Sequence, residues 1–398
     1  MNFNSASVVM ENGKLFTWAR NRQPETDDES DDTGESRFFM TVLSSDDSAS
    51  VSDSGDLYVL GDNRYGMLGV GDFDRVLSLT RVPRTLFGGK PVQQVGLGAY
   101  HAIVLASGSV FTAGGGACGS LGHGTTDNAR EFKRVEALAR VPVVFVAAGH
   151  TSSAVLAGGR VYTFGRLEAS VFCLAPTLLP AYSDSPAVLV SAGMYSMAAV
   201  HANNRLYVWG DNASGELGLG DVVARKTPTL VSCKPVVAAV LGLKHLLVLA
   251  TDGDVYMCGW HWIGIVGAGG YSKTTSVLTR VERLPAAVSV STGGGQCFAA
   301  VTTEGKLYTW DAHKNIEPTL FGLQARVGIY DNAIDTEHIL AFAMLLHNRL
   351  GQESGLSECP EELVRRVIYK TRSWPAGPVG ALDGIARLFG GGAVTRTL

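Results

Sequence analysis

The chain has 398 residues, 46% hydrophobic and 18% charged, with a formal net charge of −4. That is enough apolar material for a large buried core, yet no apolar run approaches the roughly 20 residues that a bilayer crossing needs. The acidic balance argues against the basic surface of a protein that lives on nucleic acid, and residues 1–5 have neither the basic start nor the apolar stretch of a signal peptide.

In chain order, the first pattern is residues 5–9, SASVV, which match the second half of a repeat unit that becomes clear farther on. A strand centred on Phe16 follows. Next comes an acidic run, Pro24-Glu25-Thr26-Asp27-Asp28-Glu29-Ser30-Asp31-Asp32, with no apolar residue to pin it. Residues 24–35 are therefore expected to form a solvated loop inserted in the first repeat, where like charges repel.

The second strand, centred on Tyr58, stops at Gly61-Asp62-Asn63 and passes into a loop marked by Gly66, Leu68, Gly69, Gly71 and Asp72. The strand recurs at Phe111, Tyr162, Tyr207, Tyr256 and Tyr308. With Phe16 and Tyr58 that makes seven copies, spaced about fifty residues apart, a spacing that signals a solenoid, propeller or array. The fullest copy is residues 205–221, RLYVWGDNASGELGLGD: an alternating strand rich in aromatic and branched residues, then glycines spaced for a compact backbone path. The loop is also present after the third and sixth strands and absent from repeats one, four and seven. Leu217, apolar in every loop copy, is expected to plug the loop into the core.

Each repeat also carries glycine and small residues ahead of an apolar strand, clearest in Gly96-Leu97-Gly98-Ala99-Tyr100-His101. The place of His101 is taken by Ser152, Ser196, His245 and Cys297 in later repeats. Such mixed occupancy predicts a structural tie, because no catalytic or metal role survives an exchange among His, Ser and Cys. The six cysteines include no C-x-x-C pair and are expected to be buried thiols, with neither disulfide nor metal.

A strand followed by D-N-x-x-G-x-L-G-x-G-D resembles the repeat of the regulator-of-chromosome-condensation family. The resemblance is fullest in repeats two and five, good in three and six, partial elsewhere, and covers about residues 1–340. It implies an all-β fold, a seven-bladed β-propeller of four-stranded blades, with one blade stitched from residues 5–16 and residues 326–339. In this family the position of His101 helps tie neighbouring strands. Family members act as scaffolds, nucleotide-exchange factors and ubiquitin-ligase modules, so the fold does not fix the function.

From about residue 341 the period stops. Residues 341–350 and 360–369 have helical character, the second opening with Pro360 and two acids. A short α-helical C-terminal appendix, residues 341–398 with a flexible end, is expected beyond a propeller of residues 1–340. The stretch Pro360-Glu361-Glu362-Leu363-Val364-Arg365-Arg366-Val367-Ile368 is similar to the opening of an F-box.

No phosphate loop, H-E-x-x-H or G-x-S-x-G occurs, and the many G-x-G strings lie in repeat loops. Catalytic, cofactor-binding and metal-binding residues are therefore expected to be none. The sequence reads as a non-enzymatic, intracellular scaffold for other proteins, working in the cytoplasm or nucleus, without membrane attachment or direct nucleic-acid contact. Alternatives are a guanine-nucleotide exchange factor for a small GTPase, an F-box-like ubiquitin-ligase adaptor, or a structural component of a large DNA virus particle. The partner-binding candidates are Trp260, His261, Trp262, Ile263 and Ile265 of the sixth repeat. They replace mostly polar residues of a loop whose glycines Gly259, Gly264, Gly267 and Gly269 are kept, so the same backbone path with large apolar side chains is expected.

Overall fold

The computed structural model describes residues 5–9, 15–19, 38–44, 47–52, 54–168, 171–261, 273–292, 297–304, 306–311 and 318–320. Among them the chain forms seven antiparallel sheets in sequence order. Sheet 1 is the hairpin Ser5–Val9 and Leu15–Ala19. Sheet 2 has strands Phe38–Ser44, Asp47–Ser52, Leu57–Gly61 and Val76–Arg81. Sheet 3 has Val92–Leu97, His101–Ala106, Ser109–Gly114 and Ala129–Arg134. Sheet 4 has Val143–Ala148, Ser152–Ala157, Arg160–Glu168 and Val171–Leu178. Sheet 5 has Ala187–Ala192, Ser196–His201, Leu206–Gly210 and Arg225–Leu230. Sheet 6 has Val236–Leu241, His245–Ala250, Val255–His261 and Lys273–Arg280. Sheet 7 has Ala287–Thr292, Cys297–Thr302, Leu307–Asp311 and Thr319–Leu320.

In sheets 2 to 7 the strands centred on an aromatic residue in the sequence, from Tyr58 to Tyr308, are the third strands, and Phe16 lies on the second described strand of sheet 1. The first strands of successive sheets lie beside one another. The fourth strands are the most exposed, as in the intermediate-to-exposed pattern of Val76–Arg81. This is the radial arrangement of a β-propeller, axis to rim. Second strands such as His245–Ala250, HLLVLA, are buried along their whole length because a neighbouring sheet covers each face. Third strands alternate. Leu206 and Val208 share a core with Val236 and Leu246 of sheet 6, while Trp209 shares one with Leu156 and Val161 of sheet 4.

Ser5–Val9 lies against Phe38–Ser44, the contact that second strands elsewhere make with the next sheet's first strand. The N-terminal hairpin therefore takes the place that second and third strands take in the other sheets. Residues 326–339, expected to complete it, lie outside the described residues, as do the acidic loop 24–35 and the appendix 341–398.

Two expectations need correction. The cysteines are not uniformly buried: Cys258 is, but Cys118 and Cys173 are half-buried and Cys233 is exposed, because they sit in a surface loop, an outer strand and a connecting turn. All four are free thiols. In the sixth repeat the backbone does not leave the sheet at Gly259 as it does at Gly210. The third strand continues to His261, pairing Trp260 with Thr274 and His261 with Lys273. The template's asparagine is missing there.

Candidate functional site

Strand direction alternates, so the turn between first and second strands and the loop between third and fourth strands emerge on one face of the ring. A buried asparagine builds this face in sheets 2 and 5. The Asn212 side-chain amide donates to the carbonyls of Asp221 (3.0 Å) and Val223 (3.2 Å), and its Oδ1 accepts from the Leu217 N–H (2.9 Å). Asn63 does the same with Asp72 (3.2 Å), Asp74 (3.1 Å) and Leu68 (3.0 Å). Both asparagines are 0% exposed, as are the plug leucines Leu68 and Leu217 that they position. His261 occupies the place of Asn212 in repeat six and lacks this combination of amide donor and carbonyl acceptor. In sheet 3, where Gly116 stands at this place, the loop is tied from its far side instead, the Gly116 N–H donating to Asn128 Oδ1 at 3.0 Å.

At two of the turns the histidine of the set headed by His101 ties neighbouring sheets. His101 Nε2 pairs with Ser153 Oγ of the next sheet at 2.9 Å, and His245 Nε2 with Thr292 Oγ1 at 2.6 Å. Both imidazoles are buried, which lowers their pKa to about 4. The glycine three residues earlier is required by this packing. A Cβ on Gly98 would stand 2.6 Å from the His101 ring, and one on Gly242 2.1 Å from that of His245.

On this scaffold lies a line of rings and cations that crosses four sheets. Tyr65, from the loop of sheet 2, meets Tyr100 in the turn of sheet 3 (4.8 Å between ring centroids). Tyr100 meets His150 in the turn of sheet 4 (5.1 Å), and His150 meets Tyr195 in the turn of sheet 5 (6.4 Å). The guanidinium of Arg166, at the end of the third strand of sheet 4, lies 4.6 Å from the Tyr195 ring centre and 5.6 Å from that of Phe172. Tyr65 is 43% and Phe172 49% exposed, and the rings between them are half-buried. Burial and then the Arg166 charge lower the pKa of His150, which keeps it neutral near pH 7. In sheet 6 the exposed Lys244 stands at the equivalent of Tyr195, and its carbonyl accepts from the Trp260 N–H at 2.7 Å.

Of the sequence-derived candidates, Trp260 and His261 therefore lie at the continuation of this line in sheet 6. Trp260 is half-buried. Trp262, Ile263 and Ile265 lie outside the described residues. The rings in the turns keep no fixed place in the repeat, since Tyr100 and Tyr195 directly precede His101 and Ser196 whereas His150 stands two residues before Ser152. Among the described residues no group of three or more His, Cys, Asp or Glu is placed to hold a metal ion, and no helix is long and apolar enough to cross a membrane.

Residues 54–105, 107–156 and 203–249 match the Regulator of chromosome condensation (RCC1) repeat. The chain carries repeats of the RCC1 family. It is 30% identical over 247 residues to the Arabidopsis thaliana ultraviolet-B receptor UVR8, covering 56% of this chain and 55% of the receptor. It is 27% identical over 290 residues to the mitochondrial RCC1 domain-containing protein RUG3 of the same plant, covering 68% and 64%. The chain thus spans less than two thirds of the length of either relative. In solved structures, human WBSCR16 matches with a TM-score of 0.64 at 21% identity, covering 72% of this chain and 82% of that one. Yeast RCC1 (Prp20) bound to Kap60 matches with a TM-score of 0.63 at 19% identity, covering 73% and 76%. Such likenesses establish the RCC1 propeller fold. The three matched segments include the third-to-fourth loops of sheets 2, 3 and 5.

Proposed function

We propose that this chain is a non-enzymatic scaffold that holds partner proteins on the turn face of its propeller. One observation carries the reading: the unbroken line from Tyr65 through Tyr100, His150, Tyr195 and Arg166 to Phe172, half-exposed and presented by turns whose backbones are fixed. Tyr and Arg are enriched where binding energy concentrates. Rings with two side-chain torsions lose little conformational freedom on being covered. Trp260, half-buried beside the Lys244 turn, extends the same surface into sheet 6. Exchange on a small GTPase has no residue-level support in this chain, since a likeness of 19% identity bears on fold alone.

The test is affinity capture from cells with the wild type and with a Tyr65→Ser, Tyr100→Ser, Arg166→Ala, Tyr195→Ser variant. At least a tenfold loss of the captured proteins is expected, with the fold retained by circular dichroism. Undiminished capture by the folded variant overturns the proposal. Trp260→Ser with Trp262→Ser, measured separately, tells whether sheet 6 belongs to the surface.

A further inference from the structure

Buried polar groups without partners gather in one seam of the ring. Thr163 Oγ1 and Ser152 Oγ of sheet 4, Trp209 Nε1 and His201 Nε2 of sheet 5, and the Tyr182 hydroxyl from the connection between the two sheets have no hydrogen-bond partner among the described residues. Thr163 is 0%, Ser152 1%, Trp209 3% and His201 3% exposed. The Tyr182 ring centre lies 5.2 Å from that of His201 and 6.3 Å from that of Trp209, so these three groups sit on adjoining rings. Val161 shares a core with Trp209, and Thr163, two residues along the same strand, points to the same side.

The preceding seam shows what the groups lack. Thr112, in the same place in sheet 3 as Thr163 in sheet 4, donates to the Leu121 carbonyl of its glycine loop at 2.7 Å. Ser153 donates to the Ser120 carbonyl of that loop at 3.0 Å. Sheet 4 has no such loop. Its third and fourth strands join in a tight hairpin that pairs Glu168 with Val171. The carbonyl that would satisfy Thr163 is therefore missing, and Met197 stands where a counterpart of Ser153 would face Ser152, yet buried polar groups in folded proteins are almost always bonded, to protein or to bound molecules.

We propose that the seam between sheets 4 and 5 is a polar binding site for small uncharged molecules that both donate and accept hydrogen bonds. The groups fix that chemistry. Trp209 Nε1 only donates, and His201, whose Nδ1 faces the Ser185 carbonyl, presents a lone pair at Nε2, while the hydroxyls do either. Water has this chemistry, and so does a small amide or alcohol.

A crystal structure of the full chain, at a resolution that shows ordered water, and melting temperatures of Thr163→Val and Thr112→Val test the site. Density bonded to two or more of the five groups is expected, together with a Tm for Thr163→Val below wild type. Separate round peaks identify water. Continuous density, with a matching extra mass in native mass spectrometry, identifies a co-purified organic molecule. A dry seam leaves Thr163 as an uncompensated hydroxyl, so its replacement by an apolar group of the same shape would raise the Tm. Thr112→Val, which breaks a bond present in the protein, lowers the Tm in either case and calibrates the measurement. A seam without density, or a Thr163→Val Tm at or above wild type, overturns the proposal.

Discussion

Between sheets 3 and 4, Gln94 bonds both ways to the Val146 backbone (2.9 and 3.0 Å), His101 bonds to Ser153, and Thr112 and Ser153 bond to loop carbonyls. One blade farther on, the same places hold Phe145, Ser152, Thr163 and Met197, and the loop is absent. Tyr182 and Trp209 fill that seam with ring volume instead, and the Arg166 guanidinium reaches across it to Tyr195 on the face. The comparison shows a division of labour in the repeat. Strand pattern sets the sheets, but the third-to-fourth loop supplies carbonyls to hydroxyls of its own third strand and of the next sheet, and a blade without the loop leaves its own Thr163 unpartnered. Aromatic bulk replaces the packing without replacing the hydrogen bonds.

The largest effect is expected from removing the plug where the loop is present. Leu121 is 1% exposed, and Leu121→Ala should cost about 3 kcal/mol of unfolding free energy, the usual scale for emptying a leucine site in a core. Chemical denaturation measures it. A cost under about 1 kcal/mol would mean that the loop merely lies on the seam between sheets 3 and 4.

His101→Ser makes the tied seam resemble the untied one, and about 2 kcal/mol should be lost with the buried bond and the imidazole volume. This substitution also has a pH signature. Burial lowers the pKa of His101 and His245 to about 4, whereas an unfolded histidine titrates near about 6.5. The unfolded chain takes up protons first, so this stability is complete above about pH 6.5 and lost as pH falls toward about 4. His101→Ser should make the fall of Tm with acidification shallower over that window. An unchanged slope would show that the His101 imidazole is not held neutral by the fold.

Much of this architecture could be read from the chain. The seven aromatic-centred strands, the glycine loops, the leucine plug and the structural role of the His101 set all follow from local pattern, since each is a repeated backbone requirement. The inter-sheet partners could not be read. Ser153 and Thr292, which receive the two imidazoles, lie about fifty residues from them in unremarkable strand positions. The ring line on the face was equally hidden, because Tyr100, His150 and Tyr195 sit in turns whose glycine pattern says nothing of the side chains between. The sixth-repeat loop misled for a related reason. Its glycines suggested a copied path, but glycine spacing alone does not end a strand, and the third strand runs on to His261.

The smallest effect belongs to Arg166. Its contact with Tyr195 bridges the poorly tied seam, yet it lies on a half-exposed surface, where a cation over an aromatic ring contributes about 0.5–1 kcal/mol. Arg166→Ala should therefore lower stability by less than about 1 kcal/mol, well below the loss from His101→Ser at the neighbouring seam. Removing the cation also relieves His150 of the charge that helps to keep its pKa low, so the His150 titration followed by NMR should move upward. The two readouts together discriminate. A small stability change with an upward titration shift means that Arg166 serves the exposed face rather than the seam. A loss as large as that of His101→Ser would instead make the cation the principal tie between sheets 4 and 5, and would remove the contrast between the two seams.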